Sequence, residues 1–244
     1  MRYACILICL IDAFPPMNAP IALDRLRQVA PQLYELLREQ IVSLSLPPGT
    51  PLSRTELAAQ FGVSQTPVRD ALMRLQEEGL VDVFPQAATR VSKIDMTKAV
   101  QAHFLRRSIE LEIVHELAAP DNTVTSDLII RLRRILEDQT RLATGADYLA
   151  FSDADHAFHR ELYRAAGMGD LLQLLQSRSG HIERLRRLHL PSPGKMQQVI
   201  DDHLRIVEAI AARQVDTAQA SLRAHLSGTL SQVDEIRARH PDYF

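Results

Sequence analysis

An aspartate and three histidines in the second half of the chain have the types and spacing of metal ligands. Asp155 and His159 stand at positions i and i+4, which places both side chains on one face of a helix. His203 and His225 each lie beside the apolar stripe of a separate predicted helix. One carboxylate and three imidazoles suit a borderline divalent metal ion such as zinc, nickel or manganese, provided that the helices converge.

The same four residues have a simpler interpretation. A single histidine flanked by leucines and isoleucines is more often a hydrogen-bonded residue of a helical core than a metal ligand. The spacing within one helix follows from the sequence, but the convergence of separate helices does not. These residues alone do not distinguish a metal site from a set of core histidines.

The elements that must position these residues are helices. Six are predicted, over residues 97–119, 124–143, 147–166, 170–189, 195–212 and 216–238. The breaks lie at residues 120–122, 145, 167–169, 191–194 and 213–215, and all but the last contain proline, glycine or asparagine. Helices of this length joined by short loops pack as an antiparallel bundle, and bundle cores are where metal and ligand sites are built. The arginine-rich stretch between His181 and His189 is interpreted as a solvated face.

A pair of arginines on the first of these helices is the second candidate for binding chemistry. Arg106 or Arg107, if it faces the bundle interior, could bind a carboxylate through two parallel hydrogen bonds from its guanidinium. Arg106 also stands four residues before Glu110, so an internal ion pair between them is an equal alternative.

The first half of the chain carries a different signature, a helix-turn-helix over residues 52–80. Ser53 and Glu56 form a capping box that opens one helix, and Gly62 ends it with a residue that tolerates positive φ. The next helix begins after Ser64, a residue type favoured at the N-cap.

The second of these helices leaves Gln65, Thr66 and Arg69 pointing outward near its N-terminus. A recognition helix presents side chains to base edges and phosphates from this position. A predicted β-hairpin over residues 80–91 follows, and a helix-turn-helix closed by a hairpin is a winged helix.

The charge balance does not by itself indicate nucleic-acid binding, because 28 basic residues stand against 30 acidic ones. That prediction therefore rests on the motif. The only cysteines, Cys5 and Cys9, lie in the first ten residues, so we expect no disulfide in the folded body. The opening segment is signal-peptide-like only superficially, since Asp12 interrupts its apolar run, and a start at Met17 is favoured. No stretch is long enough to span a membrane, and we expect a cytoplasmic protein.

The run VSQTPVRDALMRLQEEGLVDV resembles the DNA-binding domain of the GntR family of bacterial transcription regulators. The D-x-x-x-H, H-x-x-I-x-x-A-I and H-L segments of the second half resemble the FCD effector domain of the FadR-like branch of that family. The resemblance implies a winged domain over residues 30–93 and an all-helical ligand-binding and dimerisation domain over residues 97–238. Residues 1–29 would be an extension, either a mis-assigned start or a disordered segment.

The resemblance also implies roles for individual residues. The expected metal ligands are Asp155, His159, His203 and His225, and Arg106 is expected near an effector pocket. The expected DNA contacts are Arg54, Gln65, Thr66, Arg69 and Arg90. Gln65 stands where the family usually has arginine, which favours contact with adenine over guanine. Ala88 replaces the glycine that is usual in the wing.

These observations predict a mainly α-helical protein with an N-terminal winged helix-turn-helix and a C-terminal antiparallel six-helix bundle. The predicted function is that of a DNA-binding regulator, with repression favoured, that binds a palindromic operator as a homodimer. It would sense a small organic or sugar acid through a metal-containing domain. Two alternatives are a metal-dependent enzyme that uses the Asp/His cluster and a DNA-binding dimer that holds no metal.

Overall fold

The computed structural model describes residues 23–24, 26–84, 89–123 and 125–244. Most of the predicted extension over residues 1–29, and the predicted wing turn at residues 85–88 with the substituted Ala88, lie outside the described residues. The chain divides into two compact units, Met1–Ser92 and Lys93–Phe244. Within the described ranges, no helix combines the length and the apolar character that a bilayer crossing requires.

In its described part, the N-terminal unit contains three helices and a short hairpin. Its elements are α1 (Val29–Val42), α2 (Arg54–Phe61), α3 (Gln65–Glu77), β1 (Val81–Asp82) and β2 (Arg90–Val91). The two strands pair antiparallel, with Val81 opposite Val91 and Asp82 opposite Arg90. The predicted winged helix is therefore present, although its strands are shorter than predicted. Val83 and Phe84 are about half exposed, so they gain little burial from a longer strand.

The helix-turn-helix begins and ends as its sequence predicts. Ser53 Oγ accepts a hydrogen bond from the backbone N–H of Glu56 at 3.3 Å, which caps the start of α2. Gly62 ends α2 with a φ of 64°, in the left-handed region that glycine adopts without strain. The face of α3 that packs inward consists of Val68, Ala71, Leu72 and Leu75.

Contacts between α1 and α3 fix the orientation of the second helix of the motif. The Tyr34 hydroxyl donates to Glu78, just beyond the end of α3, and Arg38 Nε donates to the same carboxylate at 2.8 Å. The guanidinium of Arg74 lies 3.8 Å above the centre of the Tyr34 ring, which adds a cation–π contact. These contacts fix the orientation of α3, and therefore of its exposed face, relative to α1.

The C-terminal unit is helical throughout its described residues, as predicted. Its helices are α4 (Met96–Ala118), α5 (Thr125–Thr144), α6 (Tyr148–Ala165), α7 (Gly169–Gln176), α8 (Gly180–His189), α9 (Lys195–Ala211), α10 (Val215–Ser227) and α11 (Val233–Arg239). Short 3-10 turns occupy Leu230–Gln232 and Pro241–Tyr243. Two of the six predicted helices are thus interrupted, those over residues 170–189 and 216–238.

Both interruptions have local causes. Ser179 Oγ donates to the backbone carbonyls of Leu175 at 2.8 Å and Gln176 at 3.2 Å, a side-chain bond that competes with helix continuation. The second break follows Gly228, whose low helix propensity favours an end there. A Cβ atom at Gly228 would also approach Nζ of Lys195 to 3.1 Å.

The core of this unit brings three helices of interest together. Helix α9 packs against both α5 and α10, α5 packs against α6, and α4 packs against α10. Phe158 of α6 stacks on His203 of α9, with ring centres 3.8 Å apart and planes 5° from parallel. Polar residues on α6, α9 and α10 therefore meet inside the bundle.

Candidate functional site

The four predicted metal ligands converge in the core of the C-terminal unit. Asp155 and His159 lie on α6, His203 lies on α9 and His225 lies on α10, and one ligand atom of each falls within 4.8 Å of all the others. Nε2 of His225 is 3.2 Å from Nε2 of His159 and 3.3 Å from Nε2 of His203. These separations fit atoms that surround one cation at about 2.0–2.2 Å each.

A hydrogen-bond acceptor orients the imidazole of His203, and carboxylate oxygens lie near the Nδ1 atoms of His159 and His225. The atoms beside Nδ1 are Glu110 Oε2 at 2.8 Å for His159, Gln139 Oε1 at 2.9 Å for His203 and Asp202 Oδ2 at 3.5 Å for His225. An acceptor beside Nδ1 favours the tautomer that carries its proton there, which leaves a lone pair on Nε2. With that tautomer, the Nε2 lone pair of His225 would face those of His159 and His203 across 3.2 and 3.3 Å, and the lone pairs would repel each other unless a cation lay between them. The donor set therefore fits a divalent metal.

The protonation states of the cluster also suit a metal. Burial lowers the pKa of His159 to about 4. Burial, aided by the neighbouring His225, holds the pKa of His203 well below its ordinary value. Burial raises the pKa of Asp155, but the Arg186 guanidinium and the surrounding imidazoles outweigh it and hold that pKa well below its usual range. At neutral pH His159 and His203 are neutral and Asp155 is ionised, as metal ligation requires.

Arg186 of α8 orients the aspartate, a role that the sequence did not reveal. Its Nη2 pairs with Asp155 Oδ2, and its Nη1 lies 3.1 Å from both carboxylate oxygens of Glu183. Asp155 Oδ1 then faces the imidazoles, 3.6 Å from Nε2 of His203. Arg186 therefore acts on the cluster by holding one oxygen of its only carboxylate.

The interpretation of this arginine-rich stretch as a solvated face is wrong. Arg184 is fully buried, and His181 and His189 are buried as well. Helix α8 turns these groups inward because each finds a polar partner there. His181 Nδ1 accepts from the backbone N–H of Asp95 at 2.9 Å, and Arg184 Nη2 donates to the carbonyl oxygen of Lys93 at 3.4 Å.

Arg106 lies in the core, where it forms one of its two predicted arrangements. Its Nε donates to Glu110 Oε1 at 2.7 Å, the internal pair that was the alternative expectation. Glu110 Oε2 also lies 2.8 Å from Nδ1 of His159, so the Arg106–Glu110 pair adjoins one of the candidate metal ligands. Arg106 additionally lines the cavity described next.

A cavity of about 50 Å³ adjoins the cluster. Two candidate ligands, Asp155 and His225, form part of its wall. Its other polar side chains include Arg106, Arg186, Lys195 and Thr229, and apolar residues such as Phe151 and Leu226 complete the lining. The space therefore combines cationic groups with a possible metal, which is an environment for a small anion.

The side chains predicted to contact DNA are all exposed on the N-terminal unit: Arg54, Gln65, Thr66, Arg69 and Arg90. Three of them make a single polar side-chain contact each within the described part of the protein. Gln65 Nε2 donates to Thr55 Oγ1 at 3.4 Å, and Arg69 lies 3.5 Å from the exposed carboxylate of Asp70. Arg90 Nη1 donates to the carbonyl of Gly49 at 3.1 Å. Gln65, Thr66 and Arg69 begin α3 together, so one helix end presents three polar side chains.

Comparisons with known proteins agree with both halves of this description. The family model for bacterial regulatory proteins of the gntR family matches residues 30–91, and the FCD domain model matches residues 101–228. A transcriptional regulator of the HTH type in an unstable DNA locus of Streptomyces ambofaciens is 36% identical over 87% of this chain and 88% of its own. The HTH-type transcriptional repressor RspR of Escherichia coli K12 is 29% identical over 93% of this chain and 99% of its own.

Solved structures include the same fold. Escherichia coli McbR/YncC superimposes with a TM-score of 0.72, covering 86% of this chain and 98% of its own at 20% identity. The domain matches and the relatives indicate a transcription regulator and not an enzyme. The chain belongs to the GntR family of bacterial transcription regulators and carries a C-terminal FCD domain.

Proposed function

We propose that this regulator is a repressor that senses a small organic or sugar acid through a metal-containing helical domain. The observation that carries the proposal is the convergence of Asp155, His159, His203 and His225 beside a cationic cavity. Residues 30–93 would bind the operator, and residues 97–238 would bind metal and effector and would form the dimer. Because its target is DNA, the protein would act in the cytoplasm.

The four converging residues would hold one divalent ion, with zinc, nickel and manganese as the candidates. When bound, the ion would supply coordination positions that water or a carboxylate can fill. Glu110, Gln139 and Asp202 would keep the imidazoles in the ligating tautomer, and Arg186 would keep Asp155 in place.

The effector would enter the adjoining cavity. Arg106 offers a planar guanidinium there, which suits a carboxylate better than any neutral donor does. Its existing pair with Glu110 holds the side chain in one position, so that little entropy is lost when an acid binds. Arg106 would thus contribute to effector recognition from the wall of the cavity.

The DNA-binding surface would be the exposed start of α3. Gln65, Thr66 and Arg69 would contact base edges or phosphates in a major groove, while Arg54 and Arg90 would contact the backbone. A palindromic operator would be bound by a homodimer, because the two half-sites require two symmetry-related recognition helices.

An exposed apolar pair supports dimerisation through the C-terminal unit. Val100 and Phe104 stand one turn apart on α4 and are 50% and 62% exposed. Leu174 of α7, a helix that contacts α4, is 53% exposed. A second copy of the chain would bury these side chains, and burial of such a patch stabilises association.

Helix α8 provides a route by which the effector could alter DNA binding. One side of it holds Asp155 through Arg186, and the other binds the Lys93–Asp95 segment through His181 and Arg184. Lys93 directly follows the last residue of the N-terminal unit. If the effector binds better to a second position of α8, it would shift α8 towards that position. The shift would move the Lys93–Asp95 segment, which joins the C-terminal unit to the DNA-binding residues.

The proposal is tested by titrating a labelled fragment from upstream of the regulator's own gene with metal-loaded and chelated protein. We expect an acid from a panel of carboxylic and sugar acids to lower operator affinity of the loaded protein by about tenfold or more, a coupling of at least ~1.4 kcal/mol. The His203→Ala variant should still bind DNA but lose the response. Operator affinity that is independent of both metal and acid would contradict the proposal.

A further inference from the structure

Lys195 is a buried cation that forms no ion pair within 4 Å among the described residues. It is 8% exposed, and the contact of its Nζ atom among the described residues is a 3.2 Å hydrogen bond to the neutral amide oxygen of Gln198. Burial lowers the pKa of Lys195, and the more distant carboxylates of Asp202 and Asp155 offset only part of this effect. A buried charge without a close counter-ion is costly, so an anion that entered the cavity would stabilise it.

The other cations of the cavity are in a different situation. Arg106 pairs with Glu110, and Arg186 pairs with Asp155 and Glu183. Their charges are balanced within the protein before any ligand enters. An anion that entered the cavity would therefore balance the charge of Lys195 and not that of either arginine.

The position of Lys195 relates it to the metal cluster. Its Nζ lies against Gly228, at 3.1 Å from where a Cβ atom would stand. Gly228 follows His225 by three residues, which is about one helical turn or roughly 5 Å along the axis. The ammonium group and the cluster thus border one cavity about one turn apart, and Thr229, whose side chain is also buried, lines the same cavity.

We infer that Lys195 binds a second anionic group of the effector, and that the effector is a short dicarboxylic acid. This inference rests on the proposed function, since it places the first carboxylate at the metal cluster. The second carboxylate would accept hydrogen bonds from Lys195 Nζ and the Thr229 hydroxyl.

The test compares malate with lactate, which differ by one carboxylate, through calorimetric titration of nickel-loaded protein. We expect the wild-type chain to bind malate about tenfold or more tighter than lactate, as for one charge-assisted hydrogen bond. Lys195→Met keeps the length of the side chain but removes its charge. It should lose this preference while its lactate affinity and metal content stay unchanged. Lys98→Met, at an exposed position of α4, is the matched control and should retain the preference.

Each outcome bears on a distinct claim. Equal affinity of the wild-type chain for the two acids, a comparison that requires no variant, would overturn the inference and leave the proposed function intact. A malate preference that persists in Lys195→Met would overturn it as well. If nickel binds but neither acid does, both the inference and the proposed response to acids are wrong.

Discussion

Arg184 and Arg186 lie two residues apart on α8 and bind partners on opposite sides of that helix. Arg184 donates to the main-chain carbonyl of Lys93, whereas Arg186 pairs with Asp155 in the candidate metal cluster. Residues two apart on a helix differ by about 200° in direction, which explains why neighbouring arginines reach such different surroundings. The candidate site and the start of the C-terminal unit are therefore bound to one short helix.

This relationship predicts that Arg184 transmits the effector response without binding the effector. Arg184→Met removes the contact to Lys93 and leaves a shorter, apolar side chain in a buried position. Because removal of one partner from a buried polar contact is destabilising, a thermal melt must show that the variant is folded at the assay temperature. We expect unchanged metal content and acid affinity, measured by calorimetry, together with loss of the acid effect on operator binding. Arg187→Met, on the same helix, is the control, and an intact acid effect in Arg184→Met would refute the route through α8.

Arg69 is expected to contribute directly to operator affinity. Its guanidinium is exposed at the start of α3 and lies 3.5 Å from an equally exposed carboxylate, so it is available to DNA. Arg69→Ala should weaken operator binding by about 1–3 kcal/mol, roughly 5- to 150-fold in Kd, without lowering the melting temperature. Fluorescence anisotropy measures the affinity, and Arg223→Ala on the exposed side of α10 serves as the control. Equal affinities of Arg69→Ala and the parent would show that α3 is not the recognition helix.

Gln139 should tune metal affinity although it does not belong to the candidate ligands. Its Oε1 lies 2.9 Å from Nδ1 of His203, and its side chain is fully buried. Gln139→Met preserves volume but removes the acceptor that fixes the His203 tautomer. We expect nickel or zinc affinity to fall roughly 10- to 100-fold, the usual effect of losing such a partner. Competition with a chromogenic chelator provides the measurement, with Gln173→Met at an exposed position as control. Unchanged affinity would mean that the amide does not orient the imidazole.

The sequence predicted the parts of the site that depend on local geometry. Asp155 and His159 could be paired from their spacing because the helix fixes which residues share a face. His203 and His225 could not be joined to them in this way, since their approach depends on how α9 packs against α6 and α10. Only the resemblance to the FCD domain implied that the four residues form one set.

Helix α8 shows what the sequence interpretation missed and why. Charged residues are rarely fully buried unless paired, so a run of arginines was assigned to solvent. A signal was nevertheless present: His181 and Arg184 lie on the same helical face as Leu185 and Leu188, at spacings of three, four and seven residues. The partners that permit their burial, Asp95 and Lys93, are more than eighty residues away in the chain and could not be identified from it.

His189 predicts a loss of stability at acidic pH. Burial, followed by the charges of Lys195 and Arg239, lowers its pKa to about 4. The unfolded chain, with an ordinary histidine pKa near 6.5, takes up this proton first as the pH falls. The stabilising contribution is therefore complete above pH 6.5 and is lost as the pH falls from 6.5 towards 4, at up to about 1.4 kcal/mol per pH unit.

Urea unfolding of chelated protein between pH 7.5 and 4.5 measures this effect. In the parent chain, unfolding in this pH range should take up as much as one more proton than in His189→Gln. The unfolding free energy of His189→Gln should therefore change less steeply with pH. His115→Gln, which removes an exposed histidine of α4, should leave the dependence as it is. A parallel pH dependence in parent and His189→Gln would show that the protein does not hold this imidazole in its neutral form.

The most direct measurement for the account is the metal content of the purified protein after chelation, reloading and removal of free metal. Elemental analysis should find about one divalent ion per chain in the parent, as expected for a single site with four protein ligands. His203→Ala should lose that ion, whereas His115→Ala should retain it. A parent protein without stoichiometric metal, or a His203→Ala variant with as much metal as the parent, would contradict the assignment of Asp155, His159, His203 and His225 as a metal centre.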